Sequence, residues 1–270
     1  MNANKALWEK GDFTRLAACM RASGAALVAD IGVAPGMGVL DLGCGDGTTA
    51  IPAAQAGAKV LGVDIASNLV AAGNARAAAL DLSNIRFQEG DASALTDLAD
   101  ASFDLVVSIF GAMFAPRPDD VAREMVRVTR PGGRIVMGNW IPGDPTLIAQ
   151  VLKISASYSP PPPEGFVSPV VWGKEEVVRE RFVGAGVAGE RITCRRVLWT
   201  FAYDGPPREY LNIFRDWYGP TMNAYEAAAK DGRAEALDAE LLALFEAQNV
   251  SGDKARTEIP AAFLRVEVGV

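Results

Sequence analysis

The residues best placed to do chemistry lie at positions 39–48, VLDLGCGDGT, where a short apolar run ends in three glycines at alternate positions. Gly43, Gly45 and Gly47 tolerate positive φ and let the backbone approach a bound molecule closely. A helix that opens after such a turn points its free N–H groups at that molecule. The segment therefore predicts a ligand-binding turn between a strand and a helix.

Three carboxylates accompany this turn. Asp41 comes two residues before the first glycine and could hold a cationic amino group. Asp64 ends the next apolar run, at the spacing from the turn at which a carboxylate accepts bonds from both ribose hydroxyls. Asp91, in Gly90-Asp91-Ala92, could accept a bond from an adenine amino group. Each one alone is equally typical of a turn or a helix cap, so only the set is informative.

The spacing of the glycines separates two nucleotide ligands. The dinucleotide fingerprint G-x-G-x-x-G requires a glycine or alanine where this chain has Thr48. The negative charge of Asp41 also suits an ammonium group better than a pyrophosphate. The turn therefore favours S-adenosylmethionine (SAM), and an NAD-dependent dehydrogenase is the weaker alternative.

The elements that position these residues alternate between strand and helix. Apolar runs predict strands at 38–42, 59–64, 85–89, 103–109 and 133–138, with helices at 48–55, 69–82 and 119–129 between them. Ser67 is the predicted N-cap of the second of these helices. Such alternation predicts an α/β fold with a doubly wound parallel sheet and helices on both faces.

The remaining segments are predicted to complete one domain, residues 1–270, around a core at 35–140. Residues 1–34 are predicted to form N-terminal cap helices, and residues 141–173, which include the prolines at 160–163, a loop. A helix at 174–182 and strands at 192–203 and 262–268 follow. Residues 204–255 are predicted to form a lid-like helical insertion between the last two strands.

Together these residues closely resemble the class I SAM-dependent methyltransferases, in the branch of the ubiquinone- and menaquinone-type small-molecule enzymes. Residues 39–47 resemble the first motif of that family, 60–64 its acidic second strand, and 90–92 its adenine-contacting turn. Residues 103–109 followed by 130–134 resemble a further block of the branch. The resemblance covers about residues 35–140. It implies a Rossmann-like seven-stranded sheet of order 3-2-1-4-5-7-6 with strand 7 antiparallel.

The resemblance also implies that SAM is the cofactor and that residues beside the motifs contact it. These are Cys44 and Thr48 in the turn, Ile65 and Ala92 after the second and third strands, and Ile109, Phe110 and Phe114 around the end of the fourth. Trp8 and Phe13 resemble part of the N-terminal helices that close over the cofactor in this family. They are equally typical of core aromatics.

The acceptor side is less clearly defined. Asn139 and Trp140 follow the fifth strand at the edge where open α/β sheets bind ligands, so we expect substrate contacts from them and from Trp8 and Phe13. The methyl group of a sulfonium is already electrophilic, so positioning and exclusion of water account for much of the catalysis. No catalytic residue is defined. The weak candidates for a general base are Tyr158, Asp216 and Tyr218, each more often structural.

The aromatic side chains of the insertion indicate a small apolar or aromatic acceptor under a lid. They are equally explained by packing between helices and sheet. Residues 108–116 have no carboxylates for a metal-assisted reaction, so no metal is predicted. The aromatic side chains concerned are Tyr210, Phe214, Trp217, Tyr218 and Tyr225.

The composition of the chain limits the possible functions and partners. The chain has 270 residues, a net charge of −7 and no histidine, which disfavours nucleic-acid partners and excludes Ser-His triads and histidine metal sites. Three separated cysteines and the lack of a long apolar run indicate a cytoplasmic protein without a membrane span. A homodimer is one arrangement that the sequence allows. A non-catalytic protein that binds SAM or S-adenosylhomocysteine (SAH) is a further alternative.

Overall fold

Seven strands form one sheet in the computed structural model, which describes residues 3–162 and 164–270. Residues 1 and 2 of the predicted cap and Pro163 of the predicted proline run lie outside the described residues. The strands are β1 (Gly38–Leu42), β2 (Lys59–Asp64), β3 (Ile85–Glu89), β4 (Phe103–Ile109), β5 (Thr129–Trp140), β6 (Ile192–Tyr203) and β7 (Thr257–Gly269).

The order of these strands is β3-β2-β1-β4-β5-β7-β6. β1 pairs in parallel with β2 and β4, whereas β7 runs antiparallel to both β5 and β6. The predicted strand order and the antiparallel seventh strand are therefore confirmed. β1 and β4 are buried along most of their length, as expected for central strands covered on both faces.

The helices cover the sheet on both faces. Right-handed crossovers that move outward from β1 to β3 place their helices on one face, and the crossover from β4 to β5 places its helix on the other. The first group is α4 and α5, and the second is α6. The helices over the described residues are α1 (Ala3–Glu9), α2 (Phe13–Ala18), α3 (Arg21–Asp30), α4 (Ala50–Gln55), α5 (Ser67–Ala79), α6 (Pro118–Val128), α7 (Leu147–Ser157), α8 (Glu175–Gly184), α9 (Pro207–Trp217), α10 (Gly219–Lys230) and α11 (Ala234–Gln248).

Three predictions about the later strands and the loop before them were wrong. Residues 141–173 contain α7, whose buried Leu147, Ile148 and Val151 follow helical spacing beneath the polar surface of the segment. The fifth strand begins at Thr129 rather than at 133, so residues 130–134 lie inside β5, where the register with β4 shifts. The last strand begins at Thr257 rather than at 262, because residues 257–268 pair with β6 without a break.

The N-terminal helices form a cap that is tied to the rest of the molecule by polar contacts. Asp12 caps α2 by accepting a bond from the N–H of Thr14 at 3.2 Å. Ser67 is the first residue of α5 and not its cap. Its N–H and hydroxyl both donate to the Glu9 carboxylate, at 3.0 and 2.6 Å, so α1 supplies the acceptor at this helix start.

The insertion between β6 and β7 consists of α9, α10 and α11, and it lies against the back of the cap. A Cβ at Gly11 would come within 2.3 Å of the Trp217 carbonyl oxygen, and one at Gly219 within 2.4 Å of the Leu7 carbonyl oxygen. The two backbones therefore touch at both positions. The insertion supports the cap, while its Tyr210 and Phe214 are fully buried in the core.

The turns after β1 and β4 also meet at two glycines. A Cβ at Gly111 would lie 2.2 Å from the Gly43 carbonyl oxygen, and one at Gly43 would lie 2.6 Å from the Gly111 Cα. Gly43 has a φ of +69°, whereas Gly111 has a φ of −94°. Because the backbone of Gly111 suits any residue, only the close approach requires glycine there.

We expect Gly111→Ala to lower the free energy of unfolding by about 1–3 kcal/mol, because the added methyl group forces the two turns apart. Urea unfolding measures this change. Gly184→Ala is the matched control, since a Cβ there meets nothing within 4 Å. An equal effect of the two substitutions would contradict the close packing of Gly43 and Gly111.

Candidate functional site

A cavity of about 850 Å³ opens at the carboxyl ends of β1, β2 and β4. The strand order reverses between β1 and β4, and open α/β sheets bind ligands at such a point. The predicted site residues that line this cavity are Trp8, Phe13, Gly43, Cys44, Gly45, Thr48, Asp64, Ile65, Asp91, Ala92, Ile109 and Phe110.

The glycine turn forms one wall of the cavity. Gly43, Gly45 and Gly47 all have positive φ, at +69°, +56° and +91°. The space beside Gly47 is filled by Phe87, to which a Cβ would come within 2.7 Å. The space beside Gly45 is open, with only the Phe13 ring 3.8 Å away. Gly45 is therefore the glycine over which a bound molecule can lie.

Asp64 stands at the end of β2 with its carboxylate held by the backbone. Its Oδ2 accepts a bond from the Gly45 N–H at 2.8 Å, and its Oδ1 accepts one from the Ala66 N–H at 2.9 Å. Burial raises the pKa of this carboxyl, and the two backbone bonds act in the opposite direction. The carboxylate retains free lone pairs, so it can also accept bonds from a pair of ligand hydroxyls.

Asp91 forms the opposite end of this wall. Its Oδ1 accepts bonds from the N–H and the hydroxyl of Ser93, at 2.9 and 2.6 Å, which fixes the side chain in a turn. Arg117 lies 3.5 Å from the other oxygen, Oδ2. The arrangement suits a residue that accepts a bond from a nucleobase amino group while Ala92 contacts the ring.

Phe110 occupies an uncommon backbone conformation at the end of β4, with a φ of +62°. This region is costly for a bulky residue and is often found at functional sites. Its ring stacks on Trp140, with centroids 3.6 Å apart, and its N–H donates to the Gly138 carbonyl at 2.9 Å. These contacts hold the Phe110 ring in the cavity wall.

An aromatic cap closes the cavity from above. Trp8 of α1 meets Phe13 of α2 and Phe114 edge to face, with centroids 5.7 and 4.9 Å apart. Tyr218 packs against Trp8 and Phe13, both at 6.1 Å. Phe114 and Tyr218 therefore support the cap from behind and do not line the cavity. Burial raises the pKa of the Tyr218 hydroxyl, which makes it a poor general base.

The structure places Asp41 behind the turn. It faces a separate cavity of about 190 Å³ with apolar neighbours such as Val28 and Ile31. The Thr49 hydroxyl donates to its Oδ2, and Thr49 lines both cavities. Thr49 therefore connects Asp41 to the larger cavity by a hydrogen bond. Asp41 does not line the large cavity, so this position does not give the predicted direct contact with an ammonium group bound there.

Four other predicted site residues lie outside the large cavity. Trp140 is buried beneath Phe110, and Asn139 is buried with its neighbour on the opposite face of β5. Tyr158 packs under Arg233, whose guanidinium lies 4.8 Å from the ring centroid. Asp216 is an exposed partner of Arg215. Alternation of side chains along β5 accounts for the position of Asn139, and exposure on α9 accounts for that of Asp216.

Several cavity residues carry no signal in the sequence. Met20, Thr49, Ala115 and Trp199 line the cavity, although none belongs to a motif and Trp199 lies on β6. Their positions depend on how distant segments fold together. Among the described residues, no three acidic, cysteine or histidine side chains gather as a metal site. Over the same residues, the longest apolar helix is insufficient to cross a membrane.

Asp41 provides a pH-dependent test of this geometry. Burial raises the pKa of its carboxyl from 3.8 to about 7, with the nearby Asp64 adding to the shift and Thr49 opposing it. Between these two values the folded protein keeps a proton that the unfolded chain has released. Folding stability therefore falls as the pH rises through this window, by about 1.4 kcal/mol per pH unit.

We expect Asp41→Asn to remove this dependence, because an amide does not titrate. The stability of the variant relative to the original protein should rise from about pH 4 to about pH 7 and then level off. Urea unfolding at several pH values measures the difference. A difference that is constant across this range would mean that Asp41 is ionised in the folded protein throughout.

Comparisons with known proteins agree with the architecture of the site. A family model described as a methyltransferase domain matches residues 40–137. An uncharacterized protein of Mycobacterium tuberculosis is 36% identical over 246 residues, covering 89% of this chain and 86% of that protein. The demethylmenaquinone methyltransferase of Renibacterium salmoninarum is 39% identical over 115 residues, covering 42% of this chain and 46% of that enzyme.

Among solved structures, phosphoethanolamine N-methyltransferase 2 of Haemonchus contortus has a TM-score of 0.60 at 15% identity, covering 99% of this chain and 60% of that one. At this identity the likeness concerns the fold. The matched domain spans the glycine turn, Asp64 and Asp91, and the sheet has the strand order expected of the family. The chain therefore belongs to the class I S-adenosylmethionine-dependent methyltransferases, with SAM as its cofactor.

Proposed function

We propose that the acceptor of this methyltransferase is a small organic molecule that is largely apolar or aromatic. The observation that carries the proposal is the apolar character of the cavity lining. Apart from the residues of the glycine turn and the carboxylates, the cavity is lined by side chains that are mostly hydrocarbon, among them Phe13, Met20, Phe110, Ala115 and Trp199. A site of this composition gains its affinity by removing apolar surface from water. The family assignment excludes the dehydrogenase alternative.

The cap favours a small acceptor over a macromolecule. α1 and α2 lie across the cavity, and the insertion touches them from behind at Gly11 and Gly219. A chain of protein or nucleic acid would have to displace the aromatic contacts of Trp8 and Phe13. The net charge of −7 is also unfavourable for a nucleic acid, whose phosphates require a basic surface.

The residues of the cavity support positioning rather than proton transfer. When bound, SAM supplies a methyl group whose bond to sulfur breaks as a lone pair of the acceptor attacks, leaving SAH. Asp64 and Asp91 orient the nucleoside, and the Phe110 ring fixes the wall at the end of β4. The cap that contains Trp8 and Phe13 excludes water, which strengthens the electrostatic interactions inside the cavity.

Among the residues that the structure describes, those lining the cavity provide no evident general base. The acidic side chains that line the cavity are Cys44, Asp64 and Asp91. Asp64 and Asp91 are engaged by backbone N–H groups, and burial raises the pKa of the Cys44 thiol well above its ordinary value. The acceptor is therefore expected to be nucleophilic without help, as a neutral amine, an enolate or a phenolate.

An acceptor screen tests the proposed substrate class. The protein is incubated with SAM and separate pools of small apolar phenols, enols and amines, peptides, and oligonucleotides, and SAH formation is measured by mass spectrometry. We expect turnover with members of the small-molecule pools alone. Turnover confined to peptides or oligonucleotides would contradict the proposal, and it would leave the cofactor assignment intact.

The role of Asp64 is tested by calorimetric titration with SAH. Asp64→Asn keeps the shape of the side chain but removes its charge, so we expect the dissociation constant to rise about 10- to 100-fold. Asp216→Asn, on the exposed face of α9, should leave SAH affinity unchanged. NAD(H) serves as the ligand that should not bind. Equal SAH affinity of the Asp64 and Asp216 variants would remove Asp64 from the site.

A further inference from the structure

The side chain of Arg117 joins the turn after β3 to the segment after β4. In the sheet these strands are three positions apart, with β2 and β1 between them, which corresponds to about 14 Å. Both connections contribute to the cavity wall, with Asp91 after β3 and Ala115 after β4. Arg117 follows Ala115 by two residues and contacts Asp91 and its neighbour Ser93, so it links the two parts of this wall.

Arg117 acts on the turn after β3 through the hydroxyl of Ser93. Its Nε and Nη2 donate to the Ser93 oxygen at 3.2 and 2.9 Å. The same hydroxyl donates to Oδ1 of Asp91 at 2.6 Å. A hydroxyl has one hydrogen and two lone pairs, and a guanidinium can only donate. The hydrogen of Ser93 is therefore left for Asp91.

The two carboxylate oxygens of Asp91 consequently have different surroundings. Oδ1 accepts bonds from both the N–H and the hydroxyl of Ser93. Oδ2 lies 3.5 Å from Nη2 of Arg117, which is longer than an ordinary hydrogen bond. The lone pairs of Oδ2 can therefore accept a bond from a ligand amino group, while the bonds to Oδ1 keep the carboxylate from rotating.

The fold does not depend on Arg117 to hold this part of the chain. The Leu95 N–H donates to Glu124 of α6 at 2.6 Å, and Arg127 of α6 donates to the carbonyl of Leu95 at 2.9 Å. The Arg117 side chain is 55% exposed, and ion pairs at such exposure add at most about 1 kcal/mol to stability. Its contact with the buried Ser93 is therefore better suited to orienting Asp91 than to stabilising the fold.

We propose that Arg117 is a positioning residue for the adenine of the cofactor. By fixing the hydroxyl of Ser93, it holds the Asp91 carboxylate in the orientation in which Oδ2 accepts a bond from the 6-amino group. A purine without that amino group gains nothing from this orientation. The inference rests on the nucleoside role proposed above for Asp91, and it is independent of the acceptor.

Arg123 provides a matched control. Its side chain is 58% exposed, and both Arg117 and Arg123 pair with Asp120. Among the described residues, Arg117 extends this pairing to Asp91 and Ser93, whereas the ion-pair partner of Arg123 is Asp120. Replacement by leucine removes the guanidinium from either residue and keeps an apolar stem.

The test is a calorimetric titration with two ligands, SAH and its 6-deamino analogue, whose purine carries hydrogen in place of the amino group. We expect the original protein to bind SAH about tenfold more tightly or better, because the analogue lacks a bond to a charged group. Arg117→Leu should weaken SAH binding about 3- to 10-fold and leave the affinity for the analogue unchanged. Arg123→Leu should leave both affinities unchanged.

Ser93→Ala tests the route of the effect and is a smaller change to the side chain. It removes the hydroxyl between Arg117 and Asp91, so it should also weaken SAH binding and spare the analogue. In the double variant Arg117→Leu/Ser93→Ala, SAH binding should be no weaker than in Ser93→Ala alone, because the two residues act in series. Additive losses would mean that Arg117 does not act through Ser93, and they would overturn the inference.

The remaining outcomes separate this inference from the role of Asp91, which is tested with Asp91→Ala. If the original protein binds both ligands equally, Asp91 does not recognise the amino group, and its role fails together with the inference. If Asp91→Ala abolishes the preference for SAH and Arg117→Leu preserves it, the role of Asp91 stands and the inference alone is overturned. Equal weakening of both ligands by Arg117→Leu would also overturn it, since Arg117 would then only support the cavity wall.

Discussion

The backbones of Gly43 and Gly111 lie in direct contact, and the geometry of the cavity depends on this approach. A Cβ on either residue would fall within 2.7 Å of backbone atoms of the other. The contact brings the turn after β1 against the turn after β4, at the point where the strand order reverses. It therefore fixes the separation between the wall that contains Asp64 and the wall that contains Phe110.

The cap above the cavity, formed by α1 and α2, is held by many weak contacts. α1 has seven residues, none of them fully buried, and an isolated helix of this length is marginal in water. Its position comes from the aromatic contacts of Trp8, the Glu9–Ser67 hydrogen bonds and the support of the insertion. Each aromatic pair adds about 0.5–1.5 kcal/mol, so the cap depends on several acting together.

The carboxylates around the glycine turn have different partners. Asp64 faces the cavity with backbone N–H groups on both carboxylate oxygens. Asp41, two residues before the turn, faces apolar side chains and has Thr49 as its hydrogen-bond partner. Asp46, within the turn, is buried against Arg21 of α3 and Arg76 of α5. These three carboxylates thus face a cavity, a hydroxyl group and two arginine side chains.

The sequence by itself determined the strand order of the sheet, the glycine turn and the cavity positions of Asp64 and Asp91. These features depend on local patterns and on the few ways in which alternating strands and helices can pack. Only the tertiary structure decided that Asp41 faces away from the large cavity, that Tyr210 and Phe214 belong to the core, and that Trp199 lines the cavity. The direction of a side chain at a strand end or on a long insertion depends on contacts with residues far away in the chain. No local spacing carries that information.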